Sequence, residues 1–433
     1  MNKSYKVAIL TLGCRVNQYE SDYIAKELKN MGFDVLPFCS GCDAYIINTC
    51  TVTSESDRKS KQLIRRCIKA SPGAKIIVTG CYSQINKTEA SSIQGVSLVC
   101  DNNSKSQIPR LVSELLSGKA PTYALTEKDK FDKISVGVSP TRTRAFIKIE
   151  DGCDSKCAYC IIPAARGRVR SAPMQSILDE IEEIANNGCR EVVLTGIETA
   201  AYGKDLKNGE NLASLLCRAD KIKGIERIRL GSLDPSSITK DFVDSIKNLK
   251  KVMPHFHLSM QSGCTKTLND MRRKYSVEMA KSSIDYLRSQ IDGVQLSCDI
   301  ITGFPNESDS DFEDTYNFFK NERFLHLHVF PYSKRKGTYA CDMENQVEES
   351  VKKQRLHRLE ELEREIKASL LTDYVTKNDT GVVLFESTQD GYAVGHLPNF
   401  MEVKMKSCEN LSGQLIRVKL LEADGKYIFA KRI

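Results

Sequence analysis

Three cysteines stand close together near the middle of the chain, at Cys153, Cys157 and Cys160. Their C-x3-C-x2-C spacing places three thiols in one loop, directly after a strand-like run. Three thiolates can wrap one cuboidal iron–sulfur cluster and leave its fourth iron free to bind a substrate or cofactor. Zinc is the alternative, but a structural zinc site takes four ligands, and no fourth Cys or His follows at zinc-finger spacing.

A second set of cysteines is spread over the N-terminal part of the chain. Cys14, Cys50 and Cys81 each come immediately after a strand-like run. Because the carboxyl ends of parallel strands share one edge of a sheet, these thiols are expected to converge and could hold a second cluster. The open alternative is that they are small buried residues at strand ends. The redox-type pair Cys39 and Cys42 precedes its strand, so it is expected at the opposite edge.

The composition is that of an ordinary globular protein of two or three domains. The 433 residues are 41% hydrophobic and 27% charged, and sixteen are cysteines. No signal peptide and no run of about 18 apolar residues is present, so we expect a cytoplasmic protein without a membrane partner. In that reducing compartment clustered thiols are more often ligands or catalysts than disulfides. The net charge of +7 permits an acidic partner such as RNA without requiring one.

Hydrophobic periodicity divides the chain into three folded parts. Residues 1–117 alternate strand and helix, which predicts an open parallel βαβ domain, and the polar stretch 118–144 reads as a linker. Residues 145–372 contain six strands separated by helices, which is typical of either an open doubly wound sheet or a partial barrel. Residues 373–433 change to short alternating strands and predict a small all-β barrel. The six predicted strands are Ala145–Ile149, Glu191–Thr195, Arg227–Gly231, His255–Met260, Val294–Ile301 and Leu325–Phe330.

The cysteine triplet after the first strand of a six-fold βα repeat resembles the radical S-adenosylmethionine (SAM) enzymes. With the N-terminal three-cysteine domain and a C-terminal module similar to a TRAM domain, the whole chain resembles the methylthiotransferases. The resemblance implies a partial (β/α)6 barrel and two [4Fe–4S] clusters, with SAM as both radical source and methyl donor. The core cluster would be held by Cys153, Cys157 and Cys160, and the auxiliary cluster by Cys14, Cys50 and Cys81.

The segment Gly-Cys-Arg-Val-Asn at residues 13–17 is most similar to the branch of the family that acts on N6-threonylcarbamoyladenosine in tRNA. The isopentenyladenosine branch typically shows Gly-Cys-Gln-Met-Asn, and the branch that modifies an aspartate of a ribosomal protein shows Gly-Cys-Pro-Lys-Asn. The expected reaction is radical sulfur insertion at C2 of the adenosine at position 37, with SAM-dependent methylation. The expected partners are tRNA, a low-potential one-electron donor and a sulfur donor.

Three alternatives to this function stay open. Two are methylthiotransferases of the same architecture that act on isopentenyladenosine in tRNA or on a ribosomal protein. The third is a non-enzymatic iron–sulfur protein that binds RNA or transfers electrons. Because an electron carrier is expected to ligate its clusters fully, two incomplete cysteine sets favour an enzyme.

The resemblance also implies positions for SAM and RNA. The strand-end positions for SAM map onto Thr195, Gly196, Ser232, Asp234, Gln261 and Phe330. Glu198 departs from the family pattern, which has His at this place. Candidate RNA-binding residues are basic, with intramolecular ion pairing or a solvated surface as the alternative; they are Arg166, Arg168 and Arg170 after the cluster loop, and Lys404, Lys406, Arg417 and Lys419 in the C-terminal module.

Overall fold

The computed structural model describes residues 4–122, 130–137 and 143–433. Residues 123–129 and 138–142 of the predicted linker thus lie outside the described residues, and Ile134 and Val136 in its described part are buried. Within the described ranges, no helix is long and apolar enough to cross a membrane.

The N-terminal part is a five-stranded parallel sheet with strand order β2-β1-β3-β4-β5. Successive strand residues face opposite sides, so each side of the sheet carries its own apolar cluster, one against α1 and α5 and one against α2 and α4. This confirms the predicted open parallel domain. Its strands are β1 (Lys6–Thr11), β2 (Asp34–Leu36), β3 (Ala44–Thr49), β4 (Lys75–Gly80) and β5 (Leu98–Val99), and its helices are α1 (Arg15–Asn30), α2 (Ser54–Ala70), α3 (Cys81–Ile85), α4 (Lys87–Ser92) and α5 (Ile108–Leu116).

The central part is a partial barrel of parallel strands that follow one another in chain order. One sheet has the order β10-β9-β6 and the next has the order β11-β12-β13-β14. Chain order in space excludes the doubly wound alternative, in which the strand order reverses. The strands are β6 (Arg144–Lys148), β9 (Glu191–Thr195), β10 (Arg227–Leu230), β11 (Ser232–Leu233), β12 (His255–Gln261), β13 (Gln295–Thr302) and β14 (His326–Pro331), with a small hairpin of β7 (Glu150–Asp151) and β8 (Arg170–Ser171).

Gly231, the last residue of the predicted strand Arg227–Gly231, separates β10 from β11, which continues beyond the predicted end. Strand β10 pairs with β9 and β11 pairs with β12, so this segment joins the two sheets of the barrel. A continuous apolar core lies between the strands and the surrounding helices. These helices are α6 (Ile162–Arg166), α7 (Met174–Asn186), α8 (Leu212–Ala219), α9 (Lys240–Ile246), α10 (Thr265–Asp270), α11 (Val277–Gln290) and α12 (Asp309–Glu322).

The C-terminal part is a closed five-stranded barrel reached through a long helix. Helix α13 (Glu349–Lys377) buries Leu359, Leu362 and Ile366 in the central core and Leu371 in the core of the small barrel. The predicted boundary between residues 372 and 373 falls inside this helix. The five strands, in the closed order β15-β16-β17-β19-β18, are β15 (Thr380–Gln389), β16 (Tyr392–His396), β17 (Glu402–Lys406), β18 (Leu415–Ala423) and β19 (Ile428–Arg432).

Candidate active site

The three N-terminal cysteines lie at the carboxyl ends of three adjacent strands. Cys14 precedes α1, Cys50 follows β3, and Cys81 begins α3. A Cβ atom placed on Gly13 would lie 3.2 Å from the Sγ atom of Cys50, which shows how closely the ends of β1 and β3 approach. Burial raises the pKa of the Cys14 and Cys50 thiols, and the charge of the nearby Cys81 raises both further. The structure therefore brings the three thiols together.

The Cys14 side chain is accessible to solvent, yet protein atoms surround it on most sides. It therefore lines a concave surface. The pair Cys39 and Cys42, with Sγ atoms 3.5 Å apart, instead precedes β3 and lies at the other end of the sheet.

The second thiol set occupies the loop between β7 and α6. The Cys153 Sγ atom accepts a hydrogen bond from the Ser155 amide at 3.4 Å, and the Cys157 Sγ atom accepts one from Arg273 at 3.3 Å. Burial raises the pKa of the Cys160 thiol to about 12, and the neighbouring Cys157 and Cys153 contribute to this rise. Binding to iron would relieve the cost of holding thiolates so close together, because the metal favours the deprotonated form.

Both thiol sets fit an iron–sulfur cluster better than a single metal ion. In the described parts of the chain, no three His, Cys, Asp or Glu side chains are close enough together to hold one ion. A cuboidal cluster binds each thiolate at a different iron, so its ligands are spaced more widely. A cluster held by either set of three thiols would have one iron without a cysteine ligand.

Arg166 connects the two sets. It ends α6, shortly after Cys160, and its Nε atom donates a hydrogen bond to the Sγ atom of Cys81 at 3.3 Å. Its Nη1 atom pairs with Glu20 at 2.9 Å and with Asp151 at 3.0 Å. The buried guanidinium of Arg166 therefore links the carboxyl edge of the N-terminal sheet to the residues that flank the core cysteine loop.

A buried charge network surrounds this guanidinium. Burial alone would raise the pKa of Glu20, but attraction to Arg166, Lys105 and Lys148 outweighs it and holds that pKa well below its usual value. Lys148 also pairs with Asp151 at 3.4 Å. No local sequence pattern points to Glu20 and Lys105 as partners of this network, because they lie on elements distant in the chain from Arg166.

Two predicted RNA-binding residues lie elsewhere than expected. Arg166 is 2% exposed and Arg170 is 5% exposed, and Arg170 pairs with Asp151 at 3.6 Å. Both guanidiniums are buried and paired with carboxylates, so they are not accessible to RNA. The prediction that Arg166 and Arg170 bind RNA is therefore wrong. Arg168 differs, since its side chain is largely exposed with only a surface pair to Asp154 at 3.4 Å.

The predicted SAM positions share the carboxyl end of the barrel. Thr195, Ser232 and Gln261 lie on or at the end of three neighbouring strands, and the exposed Phe330 lies on β14. Gly196 is required by close packing, because a Cβ atom there would lie 2.5 Å from the Oε2 atom of Glu150.

Glu198 occupies the same rim in place of the expected histidine. Its Oε1 atom accepts a hydrogen bond from the Asp234 amide at 3.0 Å. Burial raises the pKa of Glu198 to about 7, and the charge of Asp234 contributes. Asp234 is itself paired with Arg273 at 2.7 Å, and Arg273 reaches Cys157. A chain of polar groups therefore runs from Glu198 to the core cysteine loop.

The C-terminal barrel presents its predicted basic residues to solvent. Lys406, Arg417 and Lys419 are exposed, and the Nζ atom of Lys404 lies 4.5 Å from the centre of the Tyr392 ring. Basic groups interleaved with aromatic rings are a typical surface for single-stranded RNA.

The fold and the paired thiol sets define a radical SAM enzyme, and the comparisons agree. Residues 147–319 match the radical SAM superfamily, and residues 6–101 match the uncharacterized protein family UPF0004. The fold is similar to that of the radical SAM methyltransferase TsrM from Kitasatospora setae, at a TM-score of 0.56 and 14% identity, over 78% of this chain and 74% of that one.

Full-length similarity to curated relatives shows which family of radical SAM enzymes the chain belongs to. The chain is 37% identical over 430 residues to the threonylcarbamoyladenosine tRNA methylthiotransferase MtaB of Bacillus subtilis, covering 97% of this chain and 95% of the relative. It is 36% identical to the tRNA-2-methylthio-N(6)-dimethylallyladenosine synthase of Fusobacterium nucleatum, covering 83% of each. The chain belongs to the methylthiotransferase family of radical SAM enzymes, and is therefore a transferase that uses SAM and iron–sulfur clusters.

Proposed function

We propose that this protein converts N6-threonylcarbamoyladenosine at position 37 of tRNA to its 2-methylthio derivative. The observation that carries the proposal is the presence of two three-thiol sets, with Arg166 joining Cys81 to the helix that follows the core loop, in a chain similar over nearly its full length to enzymes named for this reaction. Each three-cysteine set would hold a cluster with one iron free of protein ligands, where a reactant could bind.

When bound, the clusters and SAM supply the radical that activates the C2–H bond, the inserted sulfur and the methyl group. The side chains contribute position and exclusion of water. Cys153, Cys157 and Cys160 would hold the core cluster, while the guanidinium of Arg273 donates to Cys157 and fixes the loop. Glu198 and Asp234, which lie together at the barrel rim, would accept hydrogen bonds from the SAM amine.

Cys14, Cys50 and Cys81 would hold the auxiliary cluster opposite that rim. Arg166 and its buried partners fix the separation of the two thiol sets, so the adenine would lie between them without acid–base residues of its own. An external low-potential electron donor and a sulfur donor complete the reaction, and the exposed basic face of the C-terminal barrel holds the tRNA.

The test is mass spectrometry of tRNA nucleosides from cells lacking the gene. We expect the 2-methylthio form of threonylcarbamoyladenosine to disappear, to return with the wild-type gene, and to stay absent with Cys14→Ala or Cys157→Ala. Loss of the methylthio form of isopentenyladenosine instead would assign the protein to the reaction named for the Fusobacterium nucleatum relative. Unchanged tRNA with an unmodified ribosomal protein would move the substrate to protein.

A further inference from the structure

Arg15 belongs to the N-terminal domain, yet it lies at the interior of the partial barrel. The charges that act on it most strongly come from Arg144, Arg229, Asp299 and Glu191, which stand on four different barrel strands. Its Cζ atom lies 5.8 Å from the centre of the Phe146 ring on β6. Helix α1 therefore directs this side chain into the lumen, the barrel interior lined by Phe146, Asp299 and His328.

The floor of the lumen is closed. The ring of Phe400, from the C-terminal barrel, stacks on His255 at 4.7 Å and lies 4.9 Å from the Arg229 guanidinium. The opposite end opens toward the cysteines, because Arg15 directly follows Cys14 and both are solvent-accessible. A group that reaches past Cys14 into the barrel would meet Arg15 before it met the floor.

The Arg15 guanidinium is unpaired in the part of the chain that the structure describes. No described residue accepts a hydrogen bond from it, and no described carboxylate lies within ion-pair distance. The two nearby carboxylates are engaged elsewhere, Glu191 with Arg229 at 3.0 Å and Asp299 with His257 at 3.1 Å. Arg15 is therefore a cation without a hydrogen-bonded anion in a partly desolvated cavity.

We propose that Arg15 binds the carboxylate of the threonyl group on the substrate adenosine and so selects the threonylcarbamoyl nucleoside. This inference rests on the proposed function. A planar guanidinium holds a carboxylate through two parallel hydrogen bonds, and Phe146 supports one face of the guanidinium without consuming its donors. The carboxylate is the one formal charge that the modification adds to the adenine, so it is the group that a single unpaired cation would recognise.

An RNA phosphate is the other anion that could reach this cation, and the test separates the two. Binding of three synthetic anticodon stem-loops is measured by fluorescence anisotropy on the cluster-loaded protein without reductant, so that no turnover occurs. The stem-loops carry threonylcarbamoyladenosine, unmodified adenosine or dimethylallyladenosine at position 37. We expect Arg15→Gln to weaken binding of the first about 10- to 100-fold and to leave the other two unchanged.

The matched control is Arg66→Gln. Arg66 is exposed on α2 and also lies above an aromatic ring, 4.1 Å from the centre of Phe38, but outside the cavity. It should bind all three stem-loops as wild type does. Equal weakening of all three by Arg15→Gln would overturn the proposal in favour of a phosphate contact, and unchanged binding of the first would overturn it outright.

A second measurement does not depend on the variant folding. Wild-type protein should bind a stem-loop in which the threonyl carboxylate is a methyl ester about as weakly as Arg15→Gln binds the free acid. Equal binding of acid and ester would refute the inference. If wild-type protein modifies the threonylcarbamoyl stem-loop but Arg15→Gln does so equally well, the inference alone fails; if wild-type protein does not modify it, the proposed function fails.

Discussion

At the scale of single residues, Arg166 joins the N-terminal thiol set to the helix that follows the core cysteine loop. Its Nε–H donates to Cys81, and hydrogen bonds to a cluster's cysteine sulfurs raise its reduction potential by stabilising the more negative, reduced form. Arg166→Lys keeps the charge beside Glu20 and Asp151 but removes the planar fork. We expect the potential of the auxiliary cluster to fall by about 30 to 60 mV, which corresponds to part or all of one charge-assisted hydrogen bond.

The potential is measured by redox titration with electron paramagnetic resonance. Cys153, Cys157 and Cys160 are replaced by Ala in the protein used, so that only the auxiliary cluster gives a signal. Arg364→Lys, at a largely exposed position on α13, serves as the control. An unchanged potential in Arg166→Lys would limit Arg166 to a purely structural role.

Glu198 gives stability a pH dependence that can be measured. Its pKa of about 7 in the folded protein exceeds its ordinary value of 4.5, so between these values the folded state holds a proton that the unfolded state has lost. The stability contributed by this proton is complete below about pH 4.5 and is lost as pH rises through about 7. The total change is roughly 1 to 3 kcal/mol.

Glu198→Gln removes this titration and keeps an oxygen that can accept from the Asp234 amide. In SAM-free protein we expect the variant and wild type to have similar melting temperatures near pH 5, and the variant to melt higher near pH 8. Other titrating groups are common to both proteins and cancel in the difference. A melting-temperature difference that is the same at both pH values would contradict the assignment.

At the scale of secondary-structure elements, the β7–β8 hairpin sets the geometry of the core cysteine loop. Gly152 has φ +90°, and a Cβ atom there would lie 1.9 Å from the Arg168 carbonyl oxygen. Gly152→Ala should therefore displace Cys153 and abolish the core cluster while the auxiliary cluster still assembles. Gly209→Ala is the control, because Gly209 has φ +79° but open space around its Cα.

Iron content and the spectrum of each reconstituted protein report the result. Gly152→Ala should hold about half the iron of wild type, and Gly209→Ala should hold all of it, with only a modest loss of stability from its backbone strain. Full iron content in Gly152→Ala would show that the loop tolerates displacement of the hairpin.

The secondary-structure elements could be predicted from the sequence, but the side-chain contacts between elements distant in the chain could not. Strand-like runs before Cys14, Cys50 and Cys81 predict a shared sheet edge, because parallel strands have a common direction, and chemical precedent predicts a cluster from the core triplet. Arg166 and Arg170 appeared as candidate RNA ligands because one sequence does not reveal a partner such as Glu20, which is distant in the chain. The lumen position of Arg15 depends on how α1 packs against β6, which local periodicity does not encode.

At the scale of the whole molecule, the C-terminal barrel closes the base of the catalytic barrel. Arg227 and Arg229 donate to backbone carbonyl oxygens of Val382 and Leu397, and Phe400 stacks beneath the lumen. These contacts fix the orientation of the small barrel relative to the site. Three of its basic strand residues, Lys406, Arg417 and Lys419, are exposed to solvent, and Lys404 is half-buried.

Removing the basic face should weaken tRNA binding without disturbing the site. Replacing Lys404, Lys406, Arg417 and Lys419 by Gln removes four positive charges whose side chains lie at the surface, so the fold and iron content should be retained. If these groups bind phosphates, each charge removed lowers the slope of log Kd against log salt by about 0.7 to 0.9. We expect affinity at physiological salt to fall at least about 10-fold, and the decrease to be similar for tRNA with and without the threonylcarbamoyl group.

The control for net charge is a variant with four Lys→Gln changes at exposed positions of the N-terminal domain and α13. These positions are Lys29, Lys59, Lys69 and Lys353. An equal decrease in both quadruple variants would attribute binding to overall charge and remove the C-terminal barrel from the RNA interface.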